Sequence, residues 1–129
     1  MAHTYLEKTT STNLAKVEKG WGSEEILFNN DELCGKILRF NKGAKFSMHS
    51  HKLKREAFWV MSGELKVTGI RTQTARQYCL FLKTGDVLQV PREAFHQIEA
   101  QEESAIVEFS THHDDEDSYR VLPGDSQKL

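Results

Sequence analysis

Only two cysteines and two prolines occur in 129 residues. Two thiols cannot build the multi-bridge framework that holds small secreted domains together. Cys34 and Cys79 sit in apolar surroundings, Leu33–Cys34 and Cys79–Leu80, so both are read as reduced, buried thiols. No apolar run approaches the length of a membrane span, and the N-terminus lacks the apolar core of a secretory signal. The expected setting is therefore the cytoplasm, with no membrane partner. An excess of one charge is also missing: 17 basic against 19 acidic residues give a formal net charge of −2, which argues against a nucleic-acid partner. Helical periodicity is absent too, since no segment keeps an amphipathic 3.6-residue repeat beyond two turns.

What the chain does have is short, dense apolar runs with a two-residue period, broken by turn residues. Strands are expected at Glu25–Phe28, Leu33–Phe40, Lys45–Ser50, Glu56–Met61, Glu64–Thr68, Tyr78–Lys83, Val87–Val90, Phe95–Ala100 and Ala105–Ser110. Asn29-Asn30-Asp31, Asn41-Lys42-Gly43, Ser62-Gly63, Thr84-Gly85-Asp86 and Pro91-Arg92-Glu93 separate them. So many short strands at close spacing specify an all-β sandwich or barrel. Residues 1–15 read as a polar N-terminal arm, 16–122 as one β domain and 123–129 as a C-terminal tail. The acidic run Asp114–Asp117 can open a short helix, because carboxylates favour a helix N-terminus.

Histidine is concentrated where the strands are densest. His49 and His51 are two apart, so on a strand they project from one face, with Ser50 on the other. Glu56 opens the next strand and shares a face with Phe58 and Val60. His96 shares a face with Ile98 and is expected to point inward. Three imidazole nitrogens and one carboxylate suit a single divalent first-row metal, Zn, Fe, Mn or Ni, whereas the lack of thiolate ligands disfavours iron–sulfur clusters and Cu(I). A lone histidine on an apolar face is ordinarily a hydrogen-bonded core residue. It is the pairing of His49 with His51, next to a Glu56 that is costly to bury without a cation, that favours the metal.

Gly43, His49, His51, Glu56 and Gly63 stand at the spacing glycine, five residues, His-x-His, four residues, Glu, six residues, Gly; Gly85, Pro91 and His96 follow. In these two motifs the chain resembles the cupin family. Glu93 and Ala100 stand where the second motif of that family has glycine and asparagine. The resemblance implies a jelly-roll β-barrel with His49, His51, Glu56 and His96 as metal ligands near its middle. Trp21-Gly22-Ser23 and the ending Val107-Glu108-Phe109-Ser110 also resemble segments of type II mannose-6-phosphate isomerases, although Gly20 and His49 stand where those proteins have proline and, in many, glutamine.

The first function expected is metal-dependent isomerisation or epimerisation of a small-molecule substrate, a sugar or sugar phosphate, the metal polarising a carbonyl. Glu56 is the candidate catalytic base, with Glu108, His112 and His113 as further candidates. Lys45, Lys52, Lys54, Arg55 and Arg120 are available to anchor a phosphate. The alternatives are an Fe-dependent dioxygenase and a cupin that binds metal and ligand without turnover. The stretch Glu56–Met61 places Phe58 and Val60 on one face and Ala57, Trp59 and Met61 on the other. A strand apolar on both faces is covered on both, which leads to an expected homodimer.

Overall fold

Burial alternates along the chain as the sequence pattern requires, and the alternation closes into two antiparallel sheets. The computed structural model describes residues 6–127. After a 3-10 turn at Ser11–Asn13 come eleven strands: β1 (Ala15–Lys19), β2 (Gly22–Asn29), β3 (Leu33–Phe40), β4 (Met48–Ser50), β5 (Glu56–Ser62), β6 (Glu64–Arg71), β7 (Arg76–Lys83), β8 (Val87–Val90), β9 (His96–Ala100), β10 (Ser104–Thr111) and β11 (Tyr119–Leu122). One sheet runs β1-β2-β3-β10-β5-β8 and the other β11-β4-β9-β6-β7. No α-helix occurs among the described residues, and none of their segments is a helix long and apolar enough to cross a membrane.

Facing side chains of the two sheets fill the space between them. Leu38 and Phe40 of β3, Phe58 and Val60 of β5, and Ile106 of β10 meet Leu65 and Val67 of β6 and Ile98 and Ala100 of β9. Trp21, in the two-residue turn between β1 and β2, stacks on Phe40 with ring centroids 4.6 Å apart. Trp21 is thus a packing aromatic as well as a residue of the barrel mouth. Each such apolar side chain contributes about 1.5–3 kcal/mol through removal from water.

Two strands lie where alternation gave no warning. β1 and β11 are almost wholly exposed, so hydrogen bonding to a neighbour defines them rather than a buried face. β1 pairs with β2 along its whole length, and β11 places Tyr119 opposite Ser50 and Arg120 opposite His49. The acidic run forms a single 3-10 turn, Asp115–Asp117, capped by the Asp114 carboxylate, in place of a longer helix. From Pro123 to Gln127 the chain lies against the barrel. Asp125 exchanges two hydrogen bonds with Lys45, and Ser126 Oγ accepts from the Gly20 amide.

Cys79 corrects the expectation of two buried thiols. Cys34 is buried and Cys79 exposed, because β7 is an edge strand with little packed against its outer side. Both are free.

Glycines hold most of the left-handed turn positions, and Ala75 and Glu93 hold two more. Gly43 and Gly63 have φ of +80° and +93°, a region that side chains disfavour. Glu93 has φ +69° at the position where the family motif carries glycine. Its amide donates to the His51 carbonyl at 2.7 Å, so the turn after Pro91 keeps its shape with a strained residue in it. Glu93→Gly is expected to raise stability by about 1 kcal/mol, read as a higher urea midpoint at unchanged slope.

Candidate metal centre

Short strands and their ends bring the histidines together. His49 lies in the middle of β4 and pairs directly across the sheet with His96, the first residue of β9. His51 follows β4 by one residue, and Glu56 starts β5 on the opposite sheet. One ring nitrogen from each histidine lies within 4.8 Å of those of the other two. His51, His96 and Glu56 are buried and His49 is partly so. The Phe46 ring packs 5.0 Å from His49 and 5.9 Å from His96, centroid to centroid, and forms one wall.

Main-chain carbonyls decide which nitrogen of each ring carries the proton. His49 Nδ1 is 2.7 Å from the Ser47 oxygen, His51 Nδ1 2.6 Å from that of Asp117 and His96 Nδ1 2.9 Å from that of Ala94. A carbonyl only accepts, so each Nδ1 donates, and a neutral ring then presents a bare lone pair at Nε2. Burial, followed by the neighbouring His96 and His51, lowers the His49 pKa from 6.5 to about 3. Burial likewise lowers that of His51, against the pull of Glu56. These two rings are therefore neutral near pH 7.

The fourth group is Glu56. Its Oε1 is 3.1 Å from His96 Nε2 and 3.4 Å from His51 Nε2. Despite that proximity, Glu56 Oε1 and His96 Nε2 are both buried with no properly directed hydrogen-bond partner. Two unsatisfied acceptors side by side in the interior are costly unless something positive lies between them. Burial would raise the Glu56 pKa, but the His96 ring and the Lys54 ammonium outweigh it and hold the carboxyl below its usual range. The donor set thus fits a divalent first-row metal on three imidazole nitrogens and one carboxylate oxygen.

Lys54 departs from the expectation of an exposed phosphate anchor. Its ammonium is 3.2 Å from Glu56 Oε2, 2.8 Å from Glu108 Oε2 and 2.9 Å from His113 Nδ1. Only 3% of Lys54 is exposed. Burial would lower its pKa, but Glu56 and Glu108 raise it, so it stays charged. His113 passes the contact on to Asp115, Nε2 to Oδ1 2.8 Å. Burial and then Lys54 lower the His113 pKa. Glu56 and Glu108 thus share the Lys54 ammonium, and a second buried ammonium, Lys36, faces Glu24.

A cavity of about 350 Å³ opens above the histidines. His49, His51, Phe46, Lys36, Lys54, Glu108 and Arg120 are among its lining residues. Lys36 and Glu108, both buried, come from the sheet facing the histidines, and Lys36 lies 3.4 Å from Glu24. Of the expected cationic anchors, Lys54 and Arg120 reach the cavity, whereas Lys52 lies over the Tyr119 ring and Arg55 lines an outer groove. A larger cavity, about 670 Å³, lies on that outer side and contains none of the three histidines.

Sequence reasoning missed Asp117 altogether. Its carboxylate accepts the amides of Lys52, Leu53 and Lys54 at 3.0–3.2 Å, and its carbonyl holds His51. It fixes the whole turn between β4 and β5. No spacing rule separates it from the three exposed acids beside it.

Asp117→Ala strands three amides. It is expected to cost about 2–4 kcal/mol in urea unfolding and to weaken metal binding about 10- to 100-fold in a chelator competition. The depressed His49 pKa sets an acid limit on the metal-free protein. Between pH 6.5 and about 3 the unfolded chain binds a proton that the folded chain refuses, so stability falls as pH falls. At pH 5 the loss from this group is about 2 kcal/mol relative to pH 7.5, and His49→Gln is expected to flatten the urea midpoint against pH.

Comparison with known proteins follows this geometry. The profile of the cupin domain family matches residues 36–112. No curated protein sequence matches the chain. Among solved structures, oxalate decarboxylase from Bacillus subtilis superposes with a TM-score of 0.75 at 18% identity, over 92% of this chain and 33% of that one. The enzyme from Lactobacillus farciminis gives 0.73 at 16% identity, over 92% and 38%. The capsular polysaccharide assembling protein CapF from Staphylococcus aureus gives 0.74 at 18% identity, over 84% and 34%. The Bacillus subtilis decarboxylase has Mn(II) centres. The chain spans about a third of the length of these proteins, and at such identities the likeness is one of fold. The family match takes in the three clustered histidines and more than half of the sequence, and on that ground the chain belongs to the cupin domain family.

Proposed function

We propose that His49, His51, His96 and Glu56 hold one divalent transition metal, and that the chain acts through it on a small polar substrate, a sugar or sugar phosphate, as an isomerase or epimerase. The observation that carries this reading is the pair of orphaned buried atoms, Glu56 Oε1 and His96 Nε2, in a cluster whose His49 and His51 line a polar cavity. A cavity of about 350 Å³ suits a small molecule. When bound, a divalent metal supplies Lewis acidity toward a carbonyl and an adjacent hydroxyl.

The protein's own residues divide the remaining work. Glu56 has one oxygen against Lys54 and the other against the histidines, which suits a ligand better than a mobile base. Glu108 lines the cavity and receives a hydrogen bond from Ser110 Oγ at 2.8 Å and the contact from Lys54. We therefore assign proton transfer between adjacent carbons to Glu108 and ligation to Glu56. Lys36 and Arg120 supply positive charge to an anionic end of the substrate.

The test has two parts. Purified protein is expected to carry about one metal per chain, and His49→Ala to lose it by elemental analysis. In D₂O, aldose phosphates are expected to exchange the C2 hydrogen, and ketose phosphates one C1 hydrogen, with the metal-loaded protein, and Glu108→Gln to slow exchange about 100-fold or more with metal content unchanged. Metal without exchange favours a binding cupin, and oxygen uptake with Fe(II) favours the dioxygenase.

A further inference from the structure

The Lys54 ammonium has no capacity to spare. It carries three N–H groups and meets three acceptors: Glu56 Oε2 at 3.2 Å, Glu108 Oε2 at 2.8 Å and His113 Nδ1 at 2.9 Å. They come from the start of β5, the middle of β10 and the second residue beyond its end. His113 accepts at Nδ1 because its Nε2 faces the Asp115 carboxylate at 2.8 Å, and a carboxylate only accepts. With 2% of its side chain exposed, the ammonium has no solvent to turn to if one of these partners leaves.

A carboxylate can meet a metal with one oxygen or with both. In Glu56 the two oxygens already have different tasks. Oε1 lies 3.1 Å from His96 Nε2 and 3.4 Å from His51 Nε2 and has no directed hydrogen bond, whereas Oε2 is held by Lys54. Handing Oε2 to a metal would leave Lys54 with an unsatisfied N–H in the interior, which is costly. The ammonium also favours the ionised carboxylate, so Lys54 both admits a cation and limits the grip on it. A six-coordinate ion on three imidazoles and one carboxylate oxygen keeps two positions for other ligands; with both oxygens of Glu56 it keeps one. A carbonyl and its adjacent hydroxyl need two.

We propose that Lys54 is a positioning residue of the metal centre: by occupying Glu56 Oε2 it makes Glu56 a one-oxygen ligand and keeps a second position on the metal open to a substrate that chelates through two oxygens. The inference rests on the metal reading of His49, His51, His96 and Glu56, and not on the proton transfer assigned to Glu108. His113 serves it by taking the third N–H, which stops the ammonium from swinging away from the two carboxylates.

The experiment loads the full chain with Mn(II). Water-proton relaxation counts the exchangeable waters on the bound ion, and chelator competition gives its dissociation constant. The wild type is expected to carry about two such waters. Lys54→Met alone would strand Glu108 in the interior, so the informative variant combines it with Glu108→Gln and removes one buried charge of each sign. That double variant is expected to carry about one water and to bind Mn(II) about 10-fold more tightly, because Oε2 is released to the ion. Glu108→Gln alone is expected to keep the wild-type water count, since Lys54 still holds Oε2. An unchanged water count or weaker binding in the double variant overturns the proposal and leaves the metal reading standing. Failure of both the wild type and Glu108→Gln to bind Mn(II) overturns the two together. A wild type with a single water overturns the proposal as well, and that result needs no variant to fold.

Discussion

Three imidazole Nδ1–H groups donate to the main-chain carbonyls of Ser47, Asp117 and Ala94. Everything the site can do follows from those bonds. They hold the protonated nitrogen of each ring against the backbone and leave the other nitrogen with a free lone pair. Two of the three bonds are local, each ring reaching the residue two positions before it along the chain. Strand geometry therefore sets ring orientation at His49 and His96, and the partner for His51 comes from the far end of the sequence.

Around that constraint the electrostatics are arranged to keep a cation welcome and the interior tolerable. Lys54 sits between Glu56 and Glu108 and reaches His113 with its remaining capacity. A buried ammonium with several partners is affordable where a lone one is not. It also holds Glu56 Oε2, so that Oε1 is the oxygen turned to the histidines. Lys36 with Glu24 repeats the device on the neighbouring strands, so the cavity wall carries charge in pairs.

The buried faces of β3, β5, β9 and β10 are legible because each pairs strict alternation with turn residues at both ends, and the motif spacing places His49, His51, Glu56 and His96 on inward positions of those or adjoining strands. β1 and β11 were not legible, since neither has a buried face to impose a pattern. Lys54 and Asp117 escaped for a related reason. Their types and neighbours are those of a solvated loop, and partners more than 50 residues away help to make them interior groups. Cys79 misled in the other direction: an apolar neighbourhood in sequence became the exposed side of an edge strand. Local pattern reads faces well, and long-range pairing of charge poorly.

The hold that Asp117 has on the turn between β4 and β5 spans 63–66 residues of chain. During synthesis, His49, His51, Glu56 and His96 all emerge from the ribosome before the residue that locks His51 in place. Until Asp117 is in place, three amides of the turn between β4 and β5 lack their acceptor and His51 lacks the carbonyl that sets its ring. Closure of the pocket thus waits on the carboxyl-terminal part of the sequence.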